Sequence, residues 1–344
     1  MKKIVKQVLG VDVAQKELVV SLVQRTESQE NLLIASGVFD NDLRGFSSII
    51  TWLKRKSSTG LPVEFVMEAT GVYHEKFAYF LDQNDLRVCI VQPSKISNYA
   101  RSLETKTVTD KTSSQAIAYF GLDRKLTLWK RPAGGYKNLR QLTRERDQLI
   151  QERTVIKNQI HAEHAEAEPS VDFITRAEKR ISLINDQENE IRSQIKTLIT
   201  NDKQMFDKAV IIQTIPGIGP LTAAIVLAET NGFDLIRNRK QLTSYAGLDV
   251  REKQSGTSIK GKASISKRGN KNLRKAFHLP ALTAVRSDEA FKQLFNRLTS
   301  RHGVKMKALV AIQRKLLELT FTLVKNKQAY QPVRKDEEQP LLVK

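Results

Sequence analysis

The spacing of apolar side chains divides the chain into successive stretches. Over residues 1–130, short β-rich runs alternate with amphipathic ones. Residues 8–23 read as a strand, a tight turn at 14–16 and a returning strand, and 32–39 as a third strand. Within 43–54, Phe46, Ile49, Ile50 and Leu53 fall on one helical face. Residues 63–67 and 86–91 are compact apolar runs bounded by turn formers or proline, as buried strands are. Helices are expected over 73–81 and from Thr109 or Asp110 through Phe120. Strands alternating with helices predict an α/β domain over 1–130, a mixed sheet covered by helices.

The period changes over 131–205. Leu139, Leu142, Leu149, Ile156 and Ile160 fit steps of three and four, and Ile181, Ile184, Ile191, Ile195 and Leu198 continue the pattern. Arg146 and Arg153 stand in seam positions of the first run, and Glu188 in the second. This predicts two long helices, a coiled-coil hairpin or a pairing with another subunit, in which the polar seam points to a partner or to register control. Residues 206–330 read as mostly α-helical, with packing helices at 291–298 and 306–324, and 331–344 as a loose tail.

Composition narrows the partners. The 344 residues are ample for two or three domains, and the formal net charge is +20. Such a charge concerns partners rather than fold, with nucleic acid first and an anionic membrane surface second. No apolar run reaches the length of a spanning helix. The opening MKKIVKQVLGVDVAQKE lacks a small-residue cleavage site, and Asp12 interrupts its apolar stretch, so a cytoplasmic, nucleoid-associated protein is expected. The single cysteine, Cys89 in RVCIV, excludes an internal disulfide and reads as a buried core thiol.

The charge is concentrated. Residues 251–275 carry nine Lys or Arg and one acid. Lys253, Lys260, Lys262, Lys267, Arg268, Lys271, Arg274 and Lys275 are candidate phosphate contacts, with Asn270 as a helix cap and a further contact. With about six such contacts, affinity should fall on the order of a thousandfold between ~50 and ~200 mM salt. Upstream, Gly217 and Gly219 in the IPGIGP turn between apolar segments resemble a helix-hairpin-helix, which presents backbone N–H groups to phosphate; a plain structural turn is the alternative.

Three acids stand out from their surroundings. Asp12 interrupts an apolar strand, Glu68 follows VEFVM directly, and Asp110 begins a helix, where an acid is also favourable by itself. Carboxylates converging from separate strands and a helix can hold divalent Mg2+ or Mn2+ for phosphodiester chemistry. His161 and His164, one turn apart, read as solvated helix surface rather than metal ligands. Ser255, in a Ser-Gly pair inside the basic segment, reads on its own as a loop hydroxyl.

Taken together, GVDVAQKE, EATGVY and TDKTSSQAIA resemble the N-terminal domain of the DEDD transposases, insertion-sequence recombinases related to site-specific DNA invertases. IPGIGPLTAAIVLAE, LTSYAGLDV and SGTSIKGKASISKRGNKNLRKA resemble their second conserved domain. The resemblance implies a ribonuclease H-like (RuvC-like) fold over 1–130, with Asp12, Glu68 and Asp110 holding metal. It implies a C-terminal domain over 206–330 whose Ser255 attacks DNA to form a 5′-phosphoserine link. It also implies element and target DNA as substrates, a noncoding bridge RNA as guide, and a homodimer or homotetramer. One position departs from the family pattern: the fourth acid, three residues after the third, is Ser113 here. A weakened or one-metal site is expected, unless Asp123 or Glu104 substitutes. Two alternatives stay open, a metal-dependent nuclease or junction resolvase that needs no Ser255, and a non-catalytic nucleic-acid scaffold.

Overall fold

A computed structural model gives the fold and describes residues 3–332 other than 70, 104–106, 108, 133, 235, 253, 256–258 and 261–263. The chain divides into two compact units, Met1–Arg131 and Pro132–Lys344. No helix among the described residues is long and apolar enough to cross a membrane.

The first unit is built on five strands: β1 (Ile4–Val13), β2 (Glu17–Thr26), β3 (Asn31–Asp40), β4 (Val63–Glu68) and β5 (Arg87–Val91). They lie in the order β3-β2-β1-β4-β5, with β1, β2 and β3 antiparallel in turn and β1, β4 and β5 parallel. Helices α1 (Leu43–Lys56), α2 (Glu75–Gln83), α3 (Pro93–Ser102) and α4 (Asp110–Asp123) cover the sheet. This topology is ribonuclease H-like. The alternation of side chains along a strand separates two apolar layers. Leu9, Val11, Phe65 and Met67 pack with Phe46 and Ile49 of α1 and with Phe77 of α2. Val8, Val66 and Cys89 face the other way, against Ile96 of α3 and Ile117 of α4. Helix α3 was not expected from the sequence; Pro93, which stops the strand, also opens the helix at its first turn.

Helix α4 lies unusually close to β1. A Cβ on Gly10 would stand 2.2 Å from the Ser114 carbonyl oxygen and 2.4 Å from the Ala118 nitrogen, so only glycine allows this crossing. At the other end the Lys6 ammonium donates to the Gly121 carbonyl at 2.5 Å. The helix therefore runs antiparallel to β1, its N-terminus beside the C-terminal end of the strand.

The second unit opens with the predicted hairpin, α5 (Gly134–Glu163) and α6 (Val171–Asn201). Its outer part packs Ile156, Ala177 and Ile184 together. Its seam acid, Glu188, accepts from Arg146 and Arg153 across the pair at 2.6 Å each, and lies 3.0 Å from Arg192 one turn along. Burial would raise the Glu188 pKa, but hydrogen bonds and charge from both cross-pair arginines hold it below the usual range. The polar seam residues thus fix the register of the hairpin within one chain. At the base, Leu139, Ile191 and Ile195 enter a core shared with the following helices, so residues 132–205 and the C-terminal helices form one unit.

Those helices are α7 (Lys203–Gln213), α8 (Pro220–Thr230), α9 (Arg239–Ala246), α10 (Lys271–Ala276), α11 (His278–Ser287), α12 (Glu289–His302) and α13 (Lys305–Asn326). Between α9 and α10 the chain makes a two-stranded excursion not foreseen in the sequence. In it β6 (Val250–Arg251) pairs with β9 (Ser264–Ile265), and β7 (Gln254–Ser255) with β8 (Ile259–Lys260). The expected tail from residue 333 lies outside the described residues.

Candidate functional site: an acidic sheet edge and a basic groove

Strand register brings the first two acids together. Val11 pairs with Met67 across the parallel β1–β4 ladder, so Asp12 and Glu68 follow as neighbours at the strand ends. Both belong to the alternate set that faces α4, with Val8 and Gly10 in one strand and Val66 in the other. Asp110 arrives from the helix. Its position is set by a reciprocal cap, in which the Thr109 N–H donates to the Thr112 hydroxyl at 2.8 Å and the Thr112 N–H to the Thr109 hydroxyl at 3.2 Å. Gly10 sets the register of α4 over β1. One turn back from Ser114 along α4, and two residues on from Gly10 along β1, Asp110 and Asp12 reach the same level.

The electrostatics follow from this convergence. Burial, then the charges of Asp110 and Glu68, push the Asp12 carboxyl up to about 6, against a hydrogen bond from the Val13 backbone that pulls it down. Like charges so placed are the arrangement a divalent cation relieves, and an all-oxygen donor set suits Mg2+ or Mn2+. Among the described residues no three acidic, histidine or cysteine side chains close around a single ion. The fourth-acid position, Ser113, is half-buried on the first turn of α4, and its N–H donates to the Thr109 carbonyl at 2.8 Å. Asp123 does not substitute: it sits at the opposite end of α4, held by Arg25 and Tyr99. Glu104 lies outside the described residues.

In the second unit the basic segment is spread over two features. Ser255 lies on β7 opposite Ile259, and Gln254 opposite Lys260. Lys253 and Lys262 lie outside the described residues. Downstream, Lys267, Lys271, Arg274 and Lys275 line a groove of about 680 Å³ bounded by α5, α8, α10 and α11. Lys275 pairs with Asp147 of α5, and Arg274 donates to the Ala246 carbonyl at 2.7 Å. Among the described residues the Lys267 and Lys271 side chains have no such partner, and both are exposed, as is Arg268. Asn270 caps α10, accepting from the Asn272 and Leu273 N–H groups at 3.0 and 3.1 Å, and its amide donates to Glu229 at 2.6 Å. Its polar atoms are therefore engaged within the protein.

The IPGIGP turn does join two helices, α7 and α8. Gly217 (φ +83°) packs against α11, where a Cβ would meet the Pro280 carbonyl at 2.5 Å; a Cβ on Gly219 would meet open space. Gly217 serves packing, and Gly219 opens the N-terminus of α8 to the surface.

Glu229 went unnoticed in the sequence. It is buried in α8, inside the apolar run AAIVLAET. Arg144 grips it with two hydrogen bonds of 2.9 Å, and Asn270 and Asn272 donate to it at 2.6 and 2.8 Å. Burial alone would raise its pKa, but these donors hold it below the ordinary carboxylate value. The available signal was the acid itself, since a carboxylate in an apolar helix requires partners.

Residues 9–164 match the family model described as Transposase, and residues 209–296 match the one described as Transposase IS116/IS110/IS902 family. The chain belongs to the IS110 family of transposases. It is thereby an enzyme of DNA strand cleavage and transfer. It is 28% identical over 330 residues to the pilin gene-inverting protein of Moraxella bovis, covering 94% of this chain and 98% of that one. It is 25% identical over 292 residues to the transposase for insertion sequence element IS1111A of Coxiella burnetii, covering 77% and 78%. Among solved structures, Thermus thermophilus RuvC in complex with a Holliday junction substrate aligns over 36% of this chain and 99% of that chain, at a TM-score of 0.28 and 9% identity.

Proposed function

We propose that this transposase excises and inserts its element by serine transesterification, with Ser255 as the nucleophile. The Ser255 hydroxyl attacks a backbone phosphorus and gives its proton to a base. The bond to the 3′ oxygen breaks, that oxygen leaves as a 3′-hydroxyl, and the phosphate stays joined to the serine through its 5′ side. A 3′-hydroxyl from another strand then attacks the same phosphorus and releases the serine, so the bond energy is conserved. Lys267, Lys271 and their basic neighbours would hold phosphates during the exchange. Asp12, Glu68 and Asp110 would hold Mg2+ or Mn2+, an ion that when bound stabilises charge developing on a phosphodiester. Exchange requires two DNA partners held together, hence a homodimer or homotetramer. A noncoding guide RNA that pairs with element and target would supply the sequence specificity that phosphate contacts lack.

The observation that carries this reading is the placement of Asp12, Glu68 and Asp110 on one face of one sheet edge in a chain of this family. The test is an adduct assay. Incubated with nicked element-junction DNA and its guide RNA, the protein should form a covalent complex whose digest maps the phosphate to Ser255. Ser255→Ala and Asp12→Asn should each abolish the adduct while retaining DNA binding. Cleavage by Ser255→Ala at the wild-type rate, without an adduct, would instead support a metal-dependent nuclease, which the carboxylate edge could serve alone.

A further inference from the structure

The excursion that carries Ser255 is closed at its root. The Lys267 N–H donates to the Gly247 carbonyl at 3.0 Å, the Ser266 N–H to the Asp249 carbonyl at 2.9 Å, and the Asn270 N–H to the Tyr245 carbonyl at 2.7 Å. The Ser266 hydroxyl adds a bond to the Asp249 carboxylate at 2.6 Å. The two backbone turns are pressed together, since a Cβ on Gly269 (φ +148°) would fall 2.4 Å from the Tyr245 carbonyl oxygen. Above this root lie the Val250–Ile265 and Arg251–Ser264 rungs, and further along the chain a second short ladder pairs Ser255 with Ile259.

One buried side chain joins both sides of the root to the helical body. The Glu229 carboxylate takes Asn270 and Asn272 from the outgoing side, while the Glu229 backbone carbonyl takes the Tyr245 hydroxyl from the incoming side at 3.0 Å. Arg144 of α5 supplies the countercharge and ties the cluster to the helical hairpin. The side chain is 1% exposed, so this is a built polar centre and not a surface pair.

We infer that Glu229 is a positioning residue for the serine: it clamps the root of the two-stranded arm and so aims Ser255. This rests on the reading of Ser255 as nucleophile. The cluster also orients the first turn of α10, which turns Lys271 outward, but a looser root should cost far more in chemistry than in phosphate affinity. An arm with a loosened root can bind DNA in several poses, of which only one brings the hydroxyl in line.

The test compares full-length wild type, Ser255→Ala, Glu229→Gln and the milder Asn272→Ala on prebound nicked junction DNA and guide RNA, well below each melting temperature. Three quantities are read: adduct formation rate, DNA affinity, and tryptic cleavage after Arg251 and Lys267. Glu229→Gln should slow adduct formation about a hundredfold with affinity within about threefold, and should expose the root to trypsin while sites in residues 1–131 stay unchanged. Asn272→Ala should show the same pattern at about tenfold, and it remains informative if Glu229→Gln fails to fold. An adduct lost in Ser255→Ala but undiminished in both root variants would overturn this inference alone. An adduct that survives Ser255→Ala would overturn the nucleophile assignment and this inference with it.

Discussion

Asp12 shows how a single side chain records a site. Its carboxyl is raised to about 6 by burial and by the charges of Asp110 and Glu68, so the fold favours the protonated form. The stability this group contributes is present below its unfolded pKa, near 4, and is lost as pH rises through about 6. At pH 8 an ionised Asp12 therefore weighs against the fold. Asparagine copies the neutral form. Asp12→Asn should melt about 3 °C above wild type at pH 8, with the gap narrowing through pH 6 and closing only as pH falls to about 4, checked by thermal melts across that range. Added Mg2+ should raise the wild-type melting temperature at pH 8 and leave Asp12→Asn nearly unmoved. A gain in stability joined to a loss of cleavage is the signature of a site built against its own repulsion. The residue types at this edge were legible in the sequence, because an acid that breaks an apolar strand needs a reason. The substitution at Ser113 was legible too, but its consequence was not: whether Asp123 could substitute depended on which end of α4 it occupied.

At the scale of elements, Asp110 shares the sheet edge with Asp12 and Glu68 only because α4 crosses β1 at a glycine. A methyl on Gly10 would overlap the Ser114 carbonyl, and overpacking of this kind costs about 1–3 kcal/mol or moves the helix. Gly10→Ala should lower the melting temperature by several degrees and abolish strand cleavage. As Asp110 recedes, it should also let the Asp12 titration fall from about 6 toward the ordinary carboxylate range, read by carboxyl NMR. Loss of stability without that shift would mean that the helix had stayed in place. The strands of this unit and its helices other than α3 were legible from periodicity, and the structure adds Asp42 and Thr109 as the caps that start α1 and α4. What periodicity cannot carry is contact between distant segments. VLGVDV reads as a strand whichever helix crosses its glycine, and nothing in SYAGLD or SKRGN tells that Gly247 and Gly269 are pressed together. The short ladders of the Ser255 arm were missed for the same reason. Two-residue strands have no period, and the basic composition masked their pairing.

At the scale of the whole chain, charge divides unequally. Residues 1–131 carry 19 basic and 14 acidic side chains, and residues 132–344 carry 38 and 23, leaving +5 and +15 of the total +20. The total was legible from composition, but the share available to a partner depends on pairing. Of the six Lys and Arg side chains lining the groove, Arg144 pairs with Glu229, Arg146 with Glu188, Lys275 with Asp147 and Arg274 with a backbone carbonyl, which leaves Lys267 and Lys271 uncommitted among the described residues. Counterion release counts the cations that reach phosphate, about 0.9 of a unit of log-log slope for each. The double variant Lys267→Gln/Lys271→Gln should therefore flatten the dependence of DNA affinity on salt by roughly 2 units of slope, uniformly across DNA sequences. Arg274→Gln should act mainly on stability, since it removes a bond that closes the α9 turn against α10. Lys54→Gln/Lys56→Gln, a change of equal charge on α1 in the less basic unit, should leave the slope nearly unchanged. Affinity measured by fluorescence anisotropy from 50 to 200 mM salt separates these cases. Equal flattening by the two lysine pairs would mean that net charge alone, and not the groove, sets how this transposase holds DNA.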